Sequence, residues 1–82
     1  MKLTLKLYGE LKENLPENAS MNEAKIDIEE GIDVEKALDK YEVPPHKRHL
    51  VMVNGVYIKP EQRPTQVLSE SDSLAVWPPS TH

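Results

Sequence analysis

The chain contains no cysteine and no phenylalanine, and it has one tryptophan and three glycines. Without cysteine there are no disulfides, no thiolate zinc site and no cysteine nucleophile. Small secreted scaffolds usually rely on such cross-links, so a reducing cytoplasm is the expected location. No apolar run approaches the length of a membrane span. The opening Met1-Lys2-Leu3-Thr4-Leu5-Lys6-Leu7 alternates instead of forming a signal-peptide core. Catalytic signatures are missing too. Ser69, Ser71 and Ser73 lie in no Gly-x-Ser-x-Gly elbow, and no glycine-rich loop is present to cradle phosphate. The expectation is a protein that is not an enzyme and holds no cofactor.

What is present fits one small domain. At 82 residues and 38% hydrophobic content, a single thin core must be built mainly from aliphatic side chains. The few aromatic residues, Tyr8, Tyr41, Tyr57 and Trp77, are therefore informative. The formal net charge of −4 opposes binding to phosphate backbones and suits a basic protein partner.

Residues 2–8 read as a strand, with Leu3, Leu5 and Leu7 on one face and Lys2, Thr4 and Lys6 on the other. Gly9 is a turn signal. Residues 10–15 fit one helical turn, which Pro16 stops, and residues 17–22 read as a polar loop. A second strand follows over residues 24–29, with Ala24, Ile26 and Ile28 inward. Asp33 occupies a helix N-cap position. Val34, Ala37, Leu38 and Tyr41 then form a helical apolar stripe that ends at Pro44-Pro45. The run Leu50-Val51-Met52-Val53 reads as a central strand covered on both faces. Asn54-Gly55 favours a two-residue hairpin turn into Val56-Tyr57-Ile58. A polar connection over residues 59–71 leads to the last strand, Ser73-Leu74-Ala75-Val76-Trp77, which Pro78-Pro79 ends. One helix on one mixed sheet is a two-layer solution, with first and last strands parallel and the helix in the crossover.

That order, with its landmarks, resembles the MoaD/ThiS family of small sulfur carriers, whose fold is the ubiquitin-like β-grasp. The resemblance rests on Leu5-Lys6-Leu7-Tyr8-Gly9, on Gly31-Ile32-Asp33-Val34 leading into Ala37-Leu38, on Val51-Met52-Val53-Asn54-Gly55 with Val56-Tyr57-Ile58, and on the ending from Leu68 through Leu74-Ala75-Val76-Trp77-Pro78-Pro79. It implies an α+β fold, a mixed sheet of about five strands packed on one main helix. The β-grasp domain would take residues 1–79 and a C-terminal tail residues 80–82.

In that family the chemistry follows the Pro-Pro. Members typically end in Gly-Gly; an adenylyltransferase of the ubiquitin-activating type activates the terminal carboxylate, and sulfur then displaces AMP. Glycine suits a tail that threads a narrow channel. Here the residues after Pro79 are Ser80, Thr81 and His82, and Thr81 is β-branched and stiff. The reading is a non-catalytic protein-interaction module related to the sulfur carriers of molybdopterin and thiamin biosynthesis. The alternative is a genuine carrier with a C-terminal thiocarboxylate, whose functional C-terminus differs from this one. The implied partner is an adenylyltransferase of the ubiquitin-activating type or a molybdopterin-synthase-like large subunit, with no nucleic acid and no membrane involved.

The candidate partner-binding residues are Trp77, Pro78, Pro79, Ser80, Thr81 and His82. Two prolines stiffen the tail and lower the entropy lost on binding; a frayed terminus is the plain alternative. Trp77 is either a partner anchor or a cover for the open sheet face against Tyr57 or Met52. The basic turn of His46, Lys47, Arg48 and His49 reads as a solvated loop. Its two histidines are too few ligands for zinc, so no metal site is expected.

Overall fold

The structure, a computed structural model, describes residues 1–80. Strand β1 is Lys2–Leu7 and is followed by a 3-10 turn, Gly9–Asn14. Strand β2 is Glu23–Asp27 and helix α1 is Val34–Lys40. Strands β3 (Leu50–Val53), β4 (Val56–Tyr57) and β5 (Ser73–Trp77) complete the sheet. Two further 3-10 turns are Pro45–Lys47 and Pro60–Gln62.

The strand order is β2-β1-β5-β3-β4. β1 and β5 run parallel at the centre, and every other pair is antiparallel. This is the mixed sheet the sequence implies, with α1 in the crossover between the parallel strands. The period-2 pattern of β1 sends Leu3, Leu5 and Leu7 to the helix side, where all three are buried. They meet Ala24 and Ile26 of β2, Val51 and Val53 of β3, Leu74 and Val76 of β5, and Val34, Ala37 and Leu38 of α1 in one cluster.

Helix α1 starts where the sequence places it. The Asp33 carboxylate accepts a hydrogen bond from the Lys36 N–H at 2.8 Å. The two preceding N–H groups donate to the long β4–β5 connection, Val34 to the Gln66 carbonyl at 2.9 Å and Glu35 to the Arg63 carbonyl at 3.2 Å. The free donors of the first turn are thus satisfied by a distant segment. That connection is a structured strap. Leu68 and Arg63 are buried within it.

Two sequence expectations are corrected. β3 is not covered on both faces: Val51 and Val53 are buried, while Leu50 and Met52 are only half-buried. A single helix covers one side of a sheet, so alternate residues of any strand must face the other. The basic turn is not a solvated loop: Arg48 donates through Nε and Nη2 to the Val43 carbonyl, at 2.9 and 2.6 Å, and through Nη2 to Asp39 at 2.6 Å. Residues 17–22 form the loop the sequence implies, closed by one isolated bridge. Ser20 and Glu23 exchange backbone hydrogen bonds at 2.9 and 3.2 Å.

Candidate functional site

The strand register decides what the uncovered sheet face presents. Residues paired directly across strands point the same way. Lys6 pairs with Ala75, Ala75 with Met52, and Met52 with Tyr57, which makes one row across four strands. One step along, Leu50 pairs with Trp77. Trp77 stacks on Tyr8, with ring centroids 4.2 Å apart and planes 6° from parallel. None of Tyr8, Leu50, Met52, Tyr57 and Trp77 belongs to the helix-side cluster.

The face therefore divides along β1. On the β2 side it is polar. Lys25 donates to the Thr4 hydroxyl at 2.9 Å, and Lys2 lies 3.6 Å from Asp27. On the β5-β3-β4 side it is apolar: Leu50, Met52 and Trp77 are half-buried and Tyr57 is 44% exposed. An apolar patch of aromatic, Leu and Met side chains beside a polar rim has the composition of a protein–protein contact.

The tail leaves from this patch. The last carbonyls of β5 are still held: Val76 accepts from the Tyr8 N–H at 3.1 Å and Trp77 from the His49 N–H at 3.2 Å. Pro78 and Pro79 then have no N–H to offer, so the ladder ends. Pro78 lies against Gly9, where a Cβ would sit 3.1 Å from the proline Cγ. Gly9 has φ +58°. Glycine takes this backbone angle without strain, and any Cβ here would press on Pro78.

Of the sequence-predicted site residues, Trp77 is half-exposed on the open face, Pro78 and Pro79 are half-buried beside it, and Ser80 is exposed. Thr81 and His82 lie outside the described residues. Trp77 does cover the face, but against Tyr8 and Leu50; Tyr57 and Met52 instead pair with each other. Tyr8, Leu50, Met52 and Tyr57 are not singled out as site residues by the sequence. For Leu50 and Met52 an indirect signal exists, in the number of layers and not in the run itself. A sheet with a single helix must expose alternate members of the Leu50–Val53 run.

Among the described residues no three metal-ligating side chains come together. No helix among them is long and apolar enough to cross a membrane. The arrangement offers surface recognition through an apolar face, with a tail that starts at its edge.

The chain matches the family model described as the ThiS family over residues 5–81. No curated protein matches it. Among solved structures it is similar to SAMP1 from Haloferax volcanii, with 20% identity over 100% of this chain and 99% of that one, at a TM-score of 0.67. A second structure of the H. volcanii small archaeal modifier protein 1 gives 21% identity over 96% and 98% of the two chains, with a TM-score of 0.65. A putative molybdopterin converting factor, subunit 1, from Pyrococcus furiosus gives 20% identity over 96% and 98%, with a TM-score of 0.66. At such identities these likenesses establish the fold. The family match extends over nearly the whole chain, and with the parallel β1–β5 centre and single helix already described, it shows that the chain belongs to the ThiS family and has the ubiquitin-like β-grasp fold.

Proposed function

We propose that this chain is a non-catalytic docking protein of the sulfur-carrier type. It binds a larger protein through the apolar half of its open sheet face and presents the segment from Trp77 onward along that partner. The partner is an adenylyltransferase of the ubiquitin-activating type or a large subunit of the molybdopterin-synthase kind. One observation carries this reading: Tyr8, Trp77, Leu50, Met52 and Tyr57 form a continuous apolar surface outside the core cluster, and the tail departs from its edge. Aromatic anchors that remain half-exposed in the free chain are the residue types that dominate binding energy at interfaces. Pro78, Pro79, Ser80, Thr81 and His82 extend the contact, with the prolines limiting the entropy cost.

A second reading keeps the family's covalent chemistry, a thiocarboxylate at the C-terminus of the functional chain. It is favoured by the match to the ThiS family, which extends into the tail at residue 81. Intact mass of the protein from its own cells separates the two. A terminal glycine or an oxygen-to-sulfur exchange supports the carrier; an unmodified chain ending at His82 supports docking alone.

The docking reading is tested by backbone amide NMR during titration with each purified candidate partner. Shifts concentrated in β5, β3 and β4 support it. Binding to neither protein, or shifts confined to the outer surface of α1, would remove it.

A further inference from the structure

The turn entering β2 holds an anomaly that the fold does not explain. Ser20 and Glu23 are bridged by two backbone hydrogen bonds, so Met21 and Asn22 are the central residues of a two-residue turn. Met21 has φ +60°, whereas Asn22 is not in the positive-φ region. Positive φ at the first central residue alone is the pattern of a type II′ turn, and that position belongs to glycine. A methionine there strains the backbone. It gains nothing from burial, because Met21 is 91% exposed, the most exposed of the large apolar side chains.

Met21 also forms one wall of a concavity of about 350 Å³, which Tyr8, Gly9, Lys12 and Asn22 complete. Tyr8 is the ring stacked on Trp77, and Gly9 is the residue on which Pro78 lies. The notch is thus continuous with the apolar face and sits beside the root of the tail. Its one charged lining residue is Lys12, which is exposed and has no ion-pair partner among the described residues. The nearby Glu10 is held by Lys47 at 3.6 Å. A chain of net charge −4 therefore turns toward whatever occupies the face an apolar-walled notch whose one charged lining group is a cation, although exposed Glu13 adjoins Lys12 in sequence.

We propose that the Met21 turn and its notch are a second contact of the docking surface, which takes from the partner protein an apolar side chain flanked by a carboxylate. The Met21 thioether and the Tyr8 ring grip the apolar part, since methionine adapts to irregular surfaces and favours aromatic neighbours. Lys12 pairs with the carboxylate. The inference rests on the docking reading of the open face, and it reverses, at this spot, the basic partner that the whole-chain charge suggests.

The test measures affinity for the purified adenylyltransferase or synthase subunit that the wild-type chain binds. Met21→Gly places the favoured residue in the turn, so its melting temperature should equal or exceed that of the wild type; its affinity should fall about 10-fold. Lys12→Glu should weaken binding about 10-fold or more, and Lys12→Gln should weaken it less while flattening its salt dependence. If Met21→Gly and Lys12→Glu bind like the wild type while Leu50→Asp does not, the notch proposal is overturned and the docking reading stands. If Leu50→Asp also binds like the wild type, or the wild type binds neither protein, both fall.

Discussion

Tyr8 and Trp77 lie ring on ring at 4.2 Å, closing the parallel β1–β5 pair on its uncovered side. Tyr8 follows the last residue of β1 and Trp77 ends β5, so the stack ties the first strand to the root of the tail. Stacked aromatic pairs contribute about 0.5–1.5 kcal/mol beyond the area they bury. Trp77→Ala should therefore cost about 1–2 kcal/mol of stability in urea unfolding, less than the loss for a core aromatic. It should weaken partner binding more than that. A stability loss with unchanged affinity of the folded fraction would make Trp77 a packing residue only.

Gly9→Ala tests how the tail is seated. The substitution forces a side chain into φ +58° and sets its Cβ 3.1 Å from Pro78. The backbone angle alone costs about 1 kcal/mol, and relief of the contact must move Pro78. The expected result is a lower melting temperature together with chemical-shift changes at Trp77. Unchanged shifts at β5 would show that Pro78 does not depend on this contact.

Arg63 is 6% exposed and has no carboxylate partner among the described residues. Its guanidinium donates to the Ile58 carbonyl at 3.1 Å and to the Arg48 carbonyl at 3.0 Å. It binds the strap that caps α1 to the end of β4 and the segment before β3. Arg63→Ala should cost about 2–4 kcal/mol: it removes two hydrogen bonds from a charged group, each worth about 1.5–3 kcal/mol, and the loss is offset in part because the buried Nη2 has no hydrogen-bond partner among the described residues. Arg63→Lys should recover little of this, since an ammonium cannot reproduce the planar fork. Denaturant unfolding of both variants checks the order; full recovery by lysine would contradict it.

These residues also show what the sequence could reveal. The alternation of β1 and the Asp33 cap are short-range signals, and the structure agrees with both. The exposure of Leu50 and Met52 was hidden because Leu-Val-Met-Val carries no alternation to read. Arg63 was hidden for another reason. Its partners are the backbone carbonyls of Ile58 and Arg48, five and fifteen residues away, and any residue type supplies such an acceptor, so no sequence pattern marks them. The Met21 anomaly is a backbone angle, and only a structure can display one.

Acid should weaken the fold through paired carboxylates. Glu29 is held below the usual carboxylate range, first by a backbone hydrogen bond and then by Lys40, whose ammonium lies 3.3 Å away. Asp27 is held down likewise, first by a hydrogen bond from the α-ammonium and then by Lys2. A lowered folded-state value means stability present above the unfolded value and lost as pH falls through the folded one. Glu29→Gln should therefore reduce the loss of melting temperature between neutral and strongly acidic pH. Both groups are exposed, so the effect is small; an identical acid profile for the variant would contradict the assignment.

The central claim is that the apolar half of the open face is where a partner docks, and Leu50→Asp tests it most directly. Leu50 is half-buried, paired with Trp77, and outside the core cluster. Placing a carboxylate there leaves the helix-side core intact and charges the middle of the patch. The affinity for the partner, measured by calorimetry beside a Glu35→Lys control on the exposed side of α1, should fall about 100-fold for Leu50→Asp, as for a central interface anchor, and stay unchanged for the control. A folded Leu50→Asp chain that binds as tightly as the wild type would contradict the account.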